Sequence, residues 1–429
     1  MGGDDRTETA TPNAAVATLP AVAGVVALFT EGRPAVSRPL GVRAAVRIGH
    51  SDEADLVLLD TKASRLHAEL EPAAGGILVT EGSRNGVSVD GCRIEGPKTF
   101  APIGAVLRIG NTLLEVVADV MGFAHEAGCG DDLLLGGPAL APVRRRIAQA
   151  GPTDLAVLVE GESGTGKELV ARAVHRASGR RGQLVGVNCA ALPGELIEAE
   201  LFGHARGAFS SADAARRGLV RSADGGTLFL DEIGEMGAGT QAKLLRVLED
   251  KQVRPVGEDH ATAVDVRVVA ATNRDLEARI AEGAFREDLF HRLATVRLRL
   301  PPLRARREDV PLLVQHFLAP DAPRPSVEAM ELLMLWRWPG NVRELCNAVV
   351  SAANEAGGAP FFGAEHLPAA LREGPGEPDA DAALRRRLSE ALARADGNVT
   401  EAARALGVRR AGIYEQLKRL GIDPDAFRR

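Results

Sequence analysis

The sequence predicts a multidomain chain of 429 residues: a β-sandwich, then an α/β P-loop domain, then a small all-α module. Three observations carry that reading. The N-terminal third has little helical period and many short apolar runs broken by glycine turns, the pattern of an all-β domain. In the middle, the apolar run Val157 to Glu160 passes through a glycine-rich turn into Lys167, the strand–loop–helix order of a phosphate-binding site. Near the end, two stretches of helical period present basic residues between apolar anchors. A chain of this length has room for three domains.

In the N-terminal third, the segments Ala45-Val46-Arg47-Ile48-Gly49-His50, Asp55-Leu56-Val57-Leu58, Ala63-Ser64-Arg65-Leu66-His67-Ala68, Ser83-Arg84-Asn85-Gly86-Val87-Ser88-Val89 and Leu107-Arg108-Ile109-Gly110 read as strands with their turns. The apolar stretch Leu19 to Phe29 is too short to cross a membrane and starts the sandwich. From Val22 to Val117 these segments resemble a forkhead-associated (FHA) domain, a β-sandwich that reads phosphothreonine in protein partners, and the domain is expected over 20–120. The resemblance implies that Ser64 and Arg65 approach the phosphate, that Asn85 holds the peptide backbone, and that His67 props the loop. Charge-assisted hydrogen bonds would supply the affinity. In the family an arginine follows the first glycine. His50 stands there in this chain, so a permanent charge becomes an imidazole. No pattern of an aspartate-phosphorylated receiver is seen in this region.

The loop Gly161-Glu162-Ser163-Gly164-Thr165-Gly166-Lys167-Glu168 has glycine where the backbone must curl to aim several N–H groups at one point. The following helix N-terminus adds partial positive charge and Lys167 a full one, so the guest is a nucleoside triphosphate. Glu168 occupies the position from which a Ser or Thr hydroxyl reaches magnesium, so the metal has to be held elsewhere. Gly226-Thr227-Leu228-Phe229-Leu230-Asp231-Glu232 offers the place: a buried-strand pattern ending in two carboxylates, the first suited to Mg²⁺ and the second to an attacking water.

Glu200-Leu201-Phe202-Gly203-His204-Ala205-Arg206-Gly207-Ala208-Phe209-Ser210-Ser211-Ala212 resembles a surface loop of one ATPase family, the bacterial enhancer-binding proteins, which are AAA+ activators of sigma-54 RNA polymerase. The resemblance runs from about Asp132 to Arg372. It includes Val187-Asn188-Cys189-Ala190-Ala191-Leu192, Gln241 to Leu248, Phe285 to Leu293 and Trp338-Pro339-Gly340-Asn341-Val342-Arg343-Glu344-Leu345. It implies an AAA+ domain with a helical lid over 132–372, which binds ATP and Mg²⁺ through the loop, Lys167 and Asp231. Glu232 would activate the lytic water and swing toward or away from Asn188 as the γ-phosphate comes and goes. Thr272 and Asn273 match the family's first sensor, and Arg343 matches the second, on a lid helix. Arg286 and Arg292 resemble arginine fingers, which act on a neighbouring subunit's nucleotide, so a homo-oligomeric ring, a hexamer, is implied. The polymerase-contacting loop keeps the aromatic Phe209. Ser210 replaces a threonine and Ser211 a glycine, which narrows the backbone freedom of a loop that has to extend and fold back.

The chain from Leu384 to Leu420 reads as a DNA-binding module. Leu388, Ala391 and Leu392 share one helical face. Thr400 is a candidate N-cap, Ala402, Ala403 and Leu406 form a core face, Gly407 permits a tight turn, and Ile413 with Leu417 anchors a second helix. The pattern is similar to the Fis-type helix-turn-helix, expected over 381–429 behind a Pro-, Gly- and acid-rich linker at 373–380. Arg409, Arg410, Tyr414, Lys418 and Arg419 remain for phosphates and base edges of enhancer DNA.

Composition agrees. A net charge of −6 argues against a chain that coats nucleic acid along its length, and confines DNA contact to the basic C-terminal helices. Cys92, Cys129, Cys189 and Cys346 lack metal-ligand spacing, and no signal peptide or long apolar run is seen, so a cytoplasmic protein without membrane contact is expected. Two readings follow. In one, an ATPase ring remodels sigma-54 polymerase and answers to a Ser/Thr kinase or its phosphothreonine-bearing product through the sandwich. In the other, the chain regulates by occupancy of DNA without sigma-54 contact, the loop from Gly207 to Ala212 being altered.

Overall fold

The computed structural model describes residues 21–83, 85–94, 98–126, 134–191, 194–207, 214–373, 384, 387–389, 391–392, 395, 397–406, 408–420 and 422–427. The N-terminal domain is the expected sandwich. One sheet has six strands in the order Arg38–Gly41, Gly24–Thr30, Thr112–Val117, Val106–Ile109, Val87–Val89 and Cys92–Arg93. The other has five, ordered Leu56–Val57, Val46–Gly49, Ala68–Ala73, Gly76–Glu81 and Thr99–Pro102. Val25, Leu107 and Leu114 of the first sheet meet Ile48, Leu70 and Ile77 of the second in one solvent-free core.

Strands covered on one face alternate apolar and polar residues, whereas Gly24–Thr30 is apolar almost throughout because both of its faces are covered. Val25 and Ala27 point into the sandwich, while Val26 and Leu28 join a second core with the helices of the lid. Thr112–Val117 divides in the same way: Leu114 and Val116 point inward, and Leu113 points toward the lid.

The central domain is a five-stranded parallel sheet ordered Leu184–Asn188, Thr227–Asp231, Arg267–Thr272, Val157–Glu160 and Val296–Arg299. Its three inner strands, Thr227–Asp231, Arg267–Thr272 and Val157–Glu160, are near-continuous apolar runs buried on both faces. Val157, Val159 and Ala271 pack with Val170 and Val174 on one side, and Leu158, Leu230 and Ala270 pack with Leu201, Leu244 and Leu289 on the other. The strand order brings the C-terminal ends of Val157–Glu160, Thr227–Asp231 and Arg267–Thr272 to one edge, where ligands of open α/β sheets bind.

The lid is built on Val310–Phe317, Val327–Leu335, Asn341–Ala356 and Ala369–Arg372. The Ser326 hydroxyl caps the second of these, accepting from the Ala329 N–H at 3.2 Å. At the C-terminus the helices Val399–Leu406 and Arg410–Leu420 pack Ala402, Ala403, Ile413 and Leu417 against Leu388 and Leu392. One detail is corrected. The N-cap is Asn398, whose Oδ1 accepts from the N–H groups of Thr400 and Glu401 at 3.0 and 3.3 Å, so Thr400 lies inside the first turn. Asparagine two positions earlier outcompetes threonine because its carbonyl spans both orphan donors, a cap worth about 1 kcal/mol. Gly407 and most of the expected linker lie outside the described residues.

Candidate functional site

The phosphate loop leaves the strand Val157–Glu160 at Gly161 and enters the helix Lys167–Ser178. Lys167 is buried, and its Nζ donates to the Gly161 carbonyl at 3.0 Å and lies 3.5 Å from Glu232 Oε1. Glu168 turns outward and pairs with Arg172 one turn on, at 2.7 Å. Its carboxylate is spent on the helix surface.

Facing the lysine, Asp231 ends its strand half-buried, and burial first and the Glu232 charge second push its carboxyl above the ordinary range. A cation beside it would offset the Glu232 charge, and a lone strand-end carboxylate next to a phosphate loop fits a magnesium ion that takes its other ligands from water and phosphate. Glu232 adopts φ +51°, and this turn aims its Oε2 at the Asn273 N–H, 3.2 Å away. Thr272 is buried, its carbonyl accepting from Gly161 N–H at 3.1 Å and its hydroxyl from Arg274 N–H at 3.0 Å, so the strand Arg267–Thr272 and the phosphate loop are tied directly. Asn188 pairs in register with Asp231 on the adjacent strand, and its Oδ1 accepts from Ala190 N–H at 2.8 Å. Cys189, Ala190, Glu232, Glu235, Asn273 and Arg274 line a cleft at this edge. The Cys189 thiol there is pushed up to about 12, chiefly by burial, and stays neutral.

Arg343 reaches the loop from the lid, its Nη1 donating to the Ser163 hydroxyl at 3.2 Å. Arg286 and Arg292 stand apart from this cluster, exposed on the helix Glu287–Leu293 and its cap. Arg286 is paired with Asp288 at 2.7 Å and Arg292 with Glu249 at 3.3 Å. Phe209 and Ser210 lie outside the described residues.

In the sandwich, the backbone brings the candidate peptide-binding residues side by side. His50 N–H donates to the Ser64 carbonyl at 3.0 Å, and Ser51 N–H to the Arg65 carbonyl at 3.1 Å. Gly49 makes this approach possible, since a Cβ there would sit 2.1 Å from the Arg65 oxygen. His67 is fully buried and accepts the Ser64 N–H on Nδ1 at 2.9 Å, which fixes the tautomer that donates from Nε2 to the Gly86 carbonyl at 3.0 Å. Asn85 donates to the Lys62 carbonyl at 2.9 Å. Sequence reasoning missed Ser83, whose hydroxyl lies 2.7 Å from that of Ser64 and accepts from Asn85 N–H at 3.1 Å, joining the two loops. It also missed Arg304, Arg306 and Asn341, which grip the phosphate loop from the lid side. Of the residues expected to contact DNA, Arg409, Tyr414, Lys418 and Arg419 are exposed. Arg410 opens the second helix.

Residues 134–299 match the family described as Sigma-54 interaction domain, 304–384 the AAA+ ATPase lid domain, and 385–420 Bacterial regulatory protein, Fis family. Residues 35–119 match the family described as Inner membrane component of T3SS, cytoplasmic domain. Regulatory protein AtoC of Escherichia coli K12 is 44% identical over 315 residues, 68% of each chain. DNA-binding transcriptional regulator NtrC of Klebsiella pneumoniae is 43% identical over 331 residues, 68% of this chain and 71% of its own. Among solved structures, NtrX of Brucella abortus in complex with ATP is similar at 37% identity and a TM-score of 0.53, over 67% of this chain and 69% of that one. No helix among the described residues is long and apolar enough to cross a membrane.

Proposed function

Because this chain belongs to the sigma-54-dependent bacterial activators and carries their AAA+ ATPase, we propose that it binds DNA upstream of promoters through its Fis-type helices and spends ATP hydrolysis on opening complexes of sigma-54 polymerase. The observation that carries the reading is the meeting of Lys167, Asp231, Glu232 and Asn273 at one sheet edge, with Lys167 Nζ and Glu232 Oε1 at 3.5 Å. Lys167 and the loop amides bind the triphosphate. Glu232, oriented by Asn273 N–H, takes the proton of the attacking water. Magnesium, when bound, would neutralise charge on the β- and γ-phosphates, and Asp231 is the residue that would hold it. Asn188 is the alternative partner of Glu232, toward or away from which the carboxylate swings as the γ-phosphate comes and goes. Arg286 and Arg292 complete the site of a neighbouring copy, which calls for a ring, and a hexamer is the size we assign. Their exposure supports action in trans.

The sandwich supplies the regulatory input in this reading. His50, Ser64, Arg65 and Asn85 form one surface that suits a phosphothreonine peptide, with Ser64 and Arg65 on the phosphate and Asn85 on the backbone. The experiment is open-complex formation in vitro with sigma-54 polymerase, a template carrying the chain's own binding site, and ATP or a non-hydrolysable analogue. Promoter opening with ATP alone is expected. DNA binding without opening under either nucleotide overturns the remodelling function and leaves regulation by occupancy, with Ser210 and Ser211 as the altered contact.

A further inference from the structure

We infer that Asn341 is a positioning residue for ATP binding: from the N-terminus of the helix Asn341–Ala356 its side chain locks the phosphate loop to the lid. Four consecutive loop residues are held from outside. Arg304 closes on the Glu162 carboxylate with two nitrogens, at 2.8 and 2.6 Å. Asn341 Nδ2 donates to Glu162 Oε2 at 3.1 Å and to the Ser163 carbonyl at 3.0 Å. Val342 N–H donates to the Gly164 carbonyl at 3.0 Å, and buried Arg306 donates to the Thr165 carbonyl at 3.0 Å. Asn341 joins three segments, because its Oδ1 also accepts the Leu303 N–H at 2.9 Å.

The side chain is wholly buried. Both amide hydrogens have an acceptor and the oxygen a donor, so loss of any bond leaves a desolvated group. The amide orientation is fixed by these partners, since the reverse would turn its oxygen toward a carboxylate. That carboxylate is ionised, its pKa held down at about 2 by the hydrogen bonds from Arg304 and, after these, from Asn341. The backbone of Asn341 sits at φ +54°, a conformation that asparagine tolerates better than most residues and that persists where the surroundings demand it. The approach is close. A Cβ at Gly164 would lie 2.3 Å from the Gly340 carbonyl oxygen.

A phosphate loop binds through backbone N–H groups, so its aim is a property of its backbone, and the clamp acts on the outer side of that backbone. Loosening it leaves Lys167, Asp231 and Glu232 in place and lets the amides drift, which harms binding of the triphosphate more than the chemical step.

The test is a double-mutant cycle in the full chain, read by steady-state hydrolysis of ATP with magnesium. Asn341→Asp keeps the acceptor for Leu303 and sets a second anion against Glu162. It is expected to raise KM by at least about tenfold with kcat within about threefold. In an E162Q background, where the new amide donates to the new carboxylate and only the Ser163 carbonyl loses its donor, the same substitution should raise KM by a clearly smaller factor, about threefold. An unchanged KM in N341D, a fall in kcat at unchanged KM, or an equal KM shift in both backgrounds overturns the assignment. Should N341D fail to fold, N341G keeps the left-handed backbone and removes the side chain alone. It must also raise KM by about tenfold, and an unchanged KM there overturns the role.

Discussion

At the residue scale, Glu232 holds a strained conformation for a purpose that can be read in its contacts. A non-glycine residue at φ +51° costs energy and persists where the surroundings impose it. Here the turn carries the carboxylate off the strand axis, between the Asn273 N–H and Lys167. Replacing Glu232 with Gln keeps the size and leaves Asp231 in place, so nucleotide binding should survive while turnover falls by at least about a hundredfold. Single-turnover hydrolysis beside a direct binding titration checks it, and near-normal turnover would contradict the role of Glu232 as base. The acid pair was legible in the sequence because the chemistry occupies adjacent positions at the end of one apolar strand. The lid side of the loop was not legible. Glu162 reads as any loop residue until folding brings Arg304 to it across 142 positions of sequence, and Asn341 reads as part of a motif whose contacts no periodicity reveals.

At the scale of elements, alternation and capping chemistry account for both what could be read and what could not. The sandwich and the two C-terminal helices follow from short apolar runs broken by glycine turns and from an apolar period near 3.6 residues, and the parallel sheet from continuous apolar runs ending in loop motifs. The docking of the six-stranded sheet on the lid was hidden, because a continuous run such as Val25 to Phe29 says only that both faces are covered and not by what. The cap at Asn398 was missed because Thr400, also a good capping residue, lies two positions away. In the second C-terminal helix, burial of Ile413 and Leu417 leaves Tyr414, Lys418 and Arg419 outward, with Arg409 exposed just ahead of the helix. If Arg409 contacts phosphate, Arg409→Ala should weaken DNA binding across sequences and reduce the salt slope by about 1. Titration of the chain's site at several salt concentrations, beside ATPase measurement of the same protein, checks it. An unchanged slope removes Arg409 from the DNA interface.

At the scale of the whole molecule, the sandwich and the ATP site share one short segment. Arg306 donates to the Thr165 carbonyl of the phosphate loop, and the next residue, Arg307, donates to the Gly104 carbonyl of the sandwich, each at 3.0 Å. Arg108 of the sandwich reinforces the seam by pairing with Glu328 and Glu331 of the lid. Against that seam lies Glu115, only 7% exposed, on the lid-facing side of its strand, with Oε2 lacking a hydrogen-bond partner among the described residues. Glu308 and Asp309 face it from the lid with Arg307 as the opposing charge, and Asp90 faces it from its own domain. Burial, then Glu308, push the Glu115 carboxyl up to about 8, and burial with Asp309 pushes Glu308 up as well. The folded chain therefore keeps a proton that the unfolded chain releases near 4.5. Stability from this source is whole below that pH and is lost as pH rises toward about 8. The melting temperature of the full chain should accordingly fall between about pH 5.5 and about pH 8. Glu115→Gln, which keeps the shape and cannot ionise, should flatten the fall and raise the melting temperature at the alkaline end by about 2–4 °C. A variant that melts with the same pH dependence as the parent would show that Glu115 does not hold its proton at the seam.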